Sequence, residues 1–166
     1  MGFKESLEIG KEYELFAENY FKKNNLNYID VRNKKEYQII DVDYLVNNKK
    51  YEVKKNLNDA KYGHKGLYFN IELSIDERQG WWYFNDTDFF FFANDNQGII
   101  LKNDDNFKNI INNMIKDGDH SKSGKNRFDF IYDKRYNGFV KVVCMRVYLE
   151  DLSDIDIKRV VKRVKI

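Results

Sequence analysis

Residues 38–55 run Gln38-Ile39-Ile40-Asp41-Val42-Asp43-Tyr44-Leu45-Val46, then Asn47-Asn48-Lys49, then Lys50-Tyr51-Glu52-Val53-Lys54-Lys55. Side chains alternate between the two faces of a strand. In the first segment Ile40, Val42, Tyr44 and Val46 share a face, which predicts core; Ile39, Asp41, Asp43 and Leu45 share the other. In the last segment Tyr51 and Val53 point one way, and Glu52 and Lys54 the other. Asparagine tolerates the positive φ of tight turns, so Asn47-Asn48-Lys49 predicts a hairpin turn of three residues. Pairing of the two strands makes their apolar faces coincide. Asp41, Asp43, Glu52 and Lys54 then collect on one side.

Three carboxylates crowded together raise one another's pKa values or demand a cation. Mg2+ takes hard oxygen ligands, usually one or two carboxylates plus substrate phosphates. A lysine beside it can orient or deprotonate water, or neutralise charge building on a phosphate oxygen. The patch therefore predicts phosphodiester hydrolysis. The other reading of the same residues is a solvated hairpin face, with Asp and Glu paired to Lys across strands.

The flanking sequence predicts a helix over 6–23. Tyr13, Phe16, Ala17, Tyr20 and Phe21 make its apolar face, and Asn24-Asn25 ends it. Strands are predicted at 67–73 and 88–93, with 98–102 pairing back on the second. A helix is predicted at 105–116, and strands at 128–132 and 139–149 around an Asn137-Gly138 turn. Segments 56–66 and 117–126 read as loops. The tail 155–166 fits either helix or strand. A helix followed by strands, then a helix and a hairpin, predicts an α+β fold, a mixed α/β sheet flanked by helices.

The chain has 166 residues, the length of one domain, and 1–166 is read as a single domain. A net charge of +2 does not by itself announce a nucleic-acid binder. One cysteine excludes an internal disulfide framework, and two histidines exclude a three-imidazole metal site. There is no apolar run of about 18 residues and no apolar signal-peptide core, so a cytoplasmic protein without a membrane partner is expected. Proline is absent, alanine occurs three times and asparagine twenty times, the pattern of an AT-rich genome. Clusters of Lys and Asn are correspondingly less informative here.

An acidic residue at the end of one strand and Glu-x-Lys in the next resembles the signature of the PD-(D/E)XK, or restriction-endonuclease-like, nuclease superfamily. Here it stands as Val42-Asp43-Tyr44-Leu45-Val46 and Tyr51-Glu52-Val53-Lys54. The Gly-x-x-aromatic-Glu on the preceding helix of archaeal Holliday-junction resolvases has its counterpart in Gly10-Lys11-Glu12-Tyr13-Glu14. Residues 67–72, 80–82 and 88–92 are similar to small phage-encoded members, and the likeness spans residues 8–94. It implies a restriction-endonuclease-like core and a metal-dependent deoxyribonuclease in which Asp43, Glu52 and the Val53 carbonyl hold Mg2+, which Mn2+ can replace. Glu14 would hold it through water or help a second ion, and Lys54 would position the attacking water. Asp41 lies on the same face; Asp43 is preferred because an apolar triplet follows it directly. A homodimer would suit two-strand cleavage. A catalytically inactive nucleic-acid-binding or assembly module on the same fold is the alternative.

Glu72 can join the site or stand as an edge carboxylate. Lys122, Lys125, Arg127, Lys134 and Arg135, interleaved with Phe128, Phe130 and Tyr132, can track a phosphate backbone and stack on bases. An ordinary hairpin with solvated lysines and core phenylalanines has the same composition. His64 and His120 read as exposed loop residues, and Cys144 as a buried small hydrophobe.

Overall fold

A computed structural model describes residues 3–60, 63–118, 127–135 and 138–161, and their side chains apart from those of 3–10 and 133–135. These residues gather into two compact units. The first comprises 1–57, 86–103 and 156–166, and the second 58–85 and 104–155. The class is α+β.

The first unit begins with α1 (Phe3–Lys23). Its end is set by Asn25, which takes a left-handed φ of 54°. The Leu26 N–H then donates to the Phe21 carbonyl and the Asn25 N–H to that of Lys22, so two carbonyls of the last turn are satisfied. After α1 come β1 (Tyr28–Asp30), a single helical turn α2 (Lys35–Gln38), β2 (Tyr44–Val46) and β3 (Lys49–Lys55). β4 (Leu57–Asp59), β5 (Leu67–Ile75) and β6 (Arg78–Gln79) follow, before β7 (Phe89–Ala93) and β8 (Gln97–Lys102) return to the first sheet. Next are α3 (Asp105–Asp117), β9 (Phe128–Arg135), β10 (Gly138–Tyr148) and β11 (Ile157–Val161).

The sheet of the first unit has the order β1-β2-β3-β7-β8-β11. Only β3 and β7 run parallel; the other neighbours are antiparallel. The apolar stripe of α1 lies on one face. Tyr13, Phe16, Ala17 and Phe21 pack with Tyr44, Val46, Phe91, Ala93, Ile100 and Val160. The opposite face carries Glu52, Phe90, Phe92, Ile99 and Leu101, each no more than 1% exposed.

The second unit holds the order β4-β5-β10-β9, with β6 paired to β5. Its α3 is capped by the Asp104 carboxylate, which accepts from the Phe107 N–H, and buries Phe107 and Ile111. Arg146 is wholly buried there, with its guanidinium 2.8 Å from Asp129.

Three expectations change. The predicted strand over 38–46 shortens to Tyr44–Val46, because Asp41 adopts a left-handed φ of 59° and Val42 donates to the Tyr37 carbonyl. Within the strand the face assignment holds, with Tyr44 and Val46 buried and Leu45 half-buried; before it Val42 is buried and Ile39 exposed, whereas Ile40, expected in the core, is only half-buried. The hairpin loop has two residues rather than three. Val46 pairs with Lys49, and Asn47 and Asn48 take φ of 49° and 65°, the backbone of a type I′ turn. The tail is a strand at 157–161, while 56–66, expected as loop, contains β4. Residues 119–126, with Lys122, Lys125 and His120, lie outside the described residues, as does Asn137.

Candidate active site

The register Tyr44↔Tyr51 brings Asp43 alongside Glu52 and Val53. The Asp43 N–H donates to the Tyr51 carbonyl, and the Asp43 carboxylate accepts a 2.8 Å hydrogen bond from the Val53 N–H. A side chain thus closes the rung that the departing β2 backbone leaves open. Backbone groups of alternate strand residues face the same edge, so the Val53 carbonyl faces the edge that β2 has left.

Glu52 and Lys54 stand on the face away from α1. In the parallel register Glu52 pairs with Phe90 and Lys54 with Phe92. The Phe90 and Phe92 rings stack at 5.2 Å. Glu52 is therefore set in an apolar wall and is 1% exposed. The solvated charged face is excluded for this residue. Lys54 Nζ lies 3.0 Å from Asp41 Oδ2 and also contacts Glu52 Oε1. Asp41, turned out of the strand, reaches the cluster from its left-handed corner.

Burial controls the protonation states. It raises the Glu52 pKa well above the ordinary value, against the pull of Lys54, and neighbouring Asp41 pushes the same way. Burial also lifts Asp43 to about 6, although the Val53 N–H and Lys54 oppose it. Burial pushes Asp41 up as well, but Lys54 outweighs it and the carboxyl stays below its usual range. Burial works against the Lys54 charge; Glu52 and Asp41 overcome it, and the ammonium is held above its ordinary value. Lys54 in this state is a hydrogen-bond donor and a fixed positive charge, and not an acceptor of protons.

Glu14 lies on α1, and its charge is felt at Asp43. Its partner is Arg32, which no helix or strand period marks. The Arg32 guanidinium also meets Asp30 at 2.5 Å and Glu18 at 3.5 Å, and lies 5.3 Å over the Tyr44 ring. The available signal was compositional. Of the 29 basic residues only seven are arginine, and a planar fork suits several carboxylates better than a lysine does.

The other candidates belong to the second unit. Glu72 is on β5 of the second unit, opposite Cys144. Arg127, in the same unit, is engaged by the Asp151 carboxylate at 2.5 Å. Lys134 and Arg135 are on β9, opposite Phe139 and Gly138. His64 contacts Glu150 at 2.6 Å and stacks on Tyr148.

The donors suit a hard cation. Asp41, Asp43 and Glu52 supply carboxylate oxygens, and neither Glu52 oxygen has a hydrogen bond of ordinary geometry. Among the described residues, no three ligating side chains are drawn together as tightly as a bound metal requires. The Lys54 ammonium instead stands in contact with both Asp41 and Glu52. A groove of about 870 Å3 in this unit is lined by Leu15, Phe16 and Tyr20 of α1 and by Lys158 to Val161 of β11, which is not where this chemistry lies.

No protein-family model, curated protein or solved structure matches this chain. No helix among the described residues is long and apolar enough to cross a membrane.

Proposed function

We propose that the first unit carries a Mg2+-dependent nuclease centre acting on DNA phosphodiesters, related to the PD-(D/E)XK superfamily. The observation that carries it is the buried Glu52 carboxyl, two residues before Lys54 and beside an Asp43 fixed to the intervening Val53 N–H. A carboxyl placed in an apolar wall costs stability, which is understandable where a bound cation compensates. The long helix α1, the antiparallel β1-β2-β3 strands and the parallel β7 beside the Glu-x-Lys strand support the resemblance.

Asp43, Glu52 and the Val53 carbonyl would hold Mg2+, with Glu14 reaching it through water after yielding part of its contact with Arg32. Bound there, the ion would supply Lewis acidity and lower the pKa of a bound water. Lys54, held in its charged form, would orient water by donating a hydrogen bond and would offset charge on the scissile phosphate. The apolar surroundings of Phe90 and Phe92 strengthen both interactions.

The rival reading, a closed Asp41–Lys54–Glu52 cluster that only braces the hairpin, has the ion pairs in its favour. Cleavage of supercoiled, linear and branched DNA with Mg2+ or Mn2+ separates the two. Wild type should cut, while folded Glu52→Gln and Lys54→Met should not. Equal inactivity of all three on every substrate and metal would remove the nuclease reading.

A further inference from the structure

The β9–β10 hairpin of the second unit extends past its neighbour. β10 pairs with β5 only from Val142 onward, whereas its pairing with β9 continues to Gly138↔Arg135. The last tie on the β5 side is Asp76, hydrogen-bonded to the backbone of Lys141. Beyond it the hairpin is a two-stranded arm.

Opposed residues of an antiparallel pair share a face, and successive rungs alternate faces. One set of rungs is Phe139–Lys134, Lys141–Tyr132 and Val143–Phe130. The alternate set is Gly138–Arg135, Val140–Asp133, Val142–Ile131 and Cys144–Asp129. Asp129 falls in the second set. The described side chains of the first set include three aromatic residues and Lys141. Tyr132 is 70% exposed and Phe139 72% exposed. Lys141 Nζ sits 4.3 Å over the Phe130 ring.

We propose that this side of the hairpin binds single-stranded nucleic acid, with Tyr132 and Phe139 stacking on bases and Lys141 meeting a phosphate. Aromatic faces beside positive charge match a strand whose bases are unpaired and whose backbone is anionic. Spacing selects the single strand. Rungs on one face are about 6.8 Å apart along a strand, roughly twice the 3.4 Å base step of a duplex. Bases can meet successive side chains at that spacing only where they are unstacked from one another. Asp129, the acidic side chain described on these strands, falls in the alternate set and pairs there with Arg146, so it does not set a carboxylate beside Tyr132 and Phe139. This site does not depend on whether the first unit cleaves DNA.

The test is fluorescence anisotropy of a labelled 20-nucleotide oligo-dT with the full chain in EDTA, where no cleavage can occur. Wild type should bind it more tightly than a duplex of equal length. Tyr132→Ala/Phe139→Ala should weaken binding about tenfold or more, by loss of stacking. Tyr132→Phe should retain the affinity. Lys141→Gln should flatten the log–log salt dependence by about 0.7, the share of one phosphate contact on a single strand. Binding is read in EDTA and through variants of the second unit alone, which keeps this result separate from the fate of the nuclease reading. Both aromatic positions are exposed, so these variants should fold. The proposal is overturned if the double variant binds oligo-dT as well as wild type, or if duplex is preferred. It is also overturned if sedimentation shows that the double variant has instead lost a dimer, which would assign the face to a second copy of the chain.

Discussion

The carboxylate of Asp43 accepts a 2.8 Å hydrogen bond from the backbone N–H of Val53, the residue between Glu52 and Lys54. One bond therefore fixes the candidate ligand just before β2 relative to both candidate side chains of β3. Asp43→Ala leaves that N–H without its acceptor and should cost about 1–3 kcal/mol. Asp43→Asn retains an oxygen there and should cost less. Both should abolish cleavage, so urea denaturation beside a cleavage assay separates the structural role of Asp43 from the chemical one.

The stability of the metal-free protein should carry the signature of Asp43 burial. In the unfolded chain the carboxyl titrates near about 3.9, and in the folded chain at about 6. Between these values the folded state holds the proton that the unfolded state has released. Stability from this group therefore falls as pH rises from about 4 to 6 and is level above that. Glu52 acts in the same direction. Asp43→Asn lacks the penalty. Its stability relative to wild type should improve by about 2 kcal/mol between pH 4 and pH 7 in EDTA. A relative stability that does not change over that range would contradict the burial of this carboxyl.

Lys54→Ala removes the charge that faces buried Glu52 and Asp41. Loss of one partner of a buried pair costs about 3–5 kcal/mol, and Lys54, with 22% of its side chain exposed, should fall at the lower end. Mg2+ should return part of that stability by mass action, and NaCl of equal ionic strength should not. Thermal unfolding with each salt decides the matter. A cluster that only braces the hairpin would show no preference for the divalent ion.

Gly98 probes the packing of α1 on the sheet. A Cβ built there would stand 2.7 Å from Phe91 Cε1 and 3.2 Å from Phe16 Cε1. Gly98→Ala should therefore destabilise by about 1–3 kcal/mol through overpacking. Denaturation of this variant would measure it, with the oligo-dT binding proposed for the β9–β10 hairpin expected to be unaffected.

Much was decided by local pattern. Side-chain parity alone placed Val42, Tyr44 and Val46 on a buried face and grouped Asp43 with Glu52 and Lys54. The spacing of Tyr13, Phe16, Ala17 and Phe21 alone gave α1 its core side. Asn47-Asn48 announced its turn because few other residues accept two consecutive positive φ values. The tertiary structure decided what depends on distant chain. Asp41 was assigned to a strand by its alternation, yet a left-handed corner takes it out and a long lysine side chain brings it back. Arg32 lies in a coil with no period to mark it, and only the folding of β1 beside α1 brings it to Glu14 and Glu18. That Glu52 stands beside Phe90 follows from parallel pairing of β3 with β7, more than thirty residues later. Alternation tells which side of a strand a residue occupies; whether that side meets water or protein is set by non-local packing, and so are the protonation states on which the proposed chemistry rests.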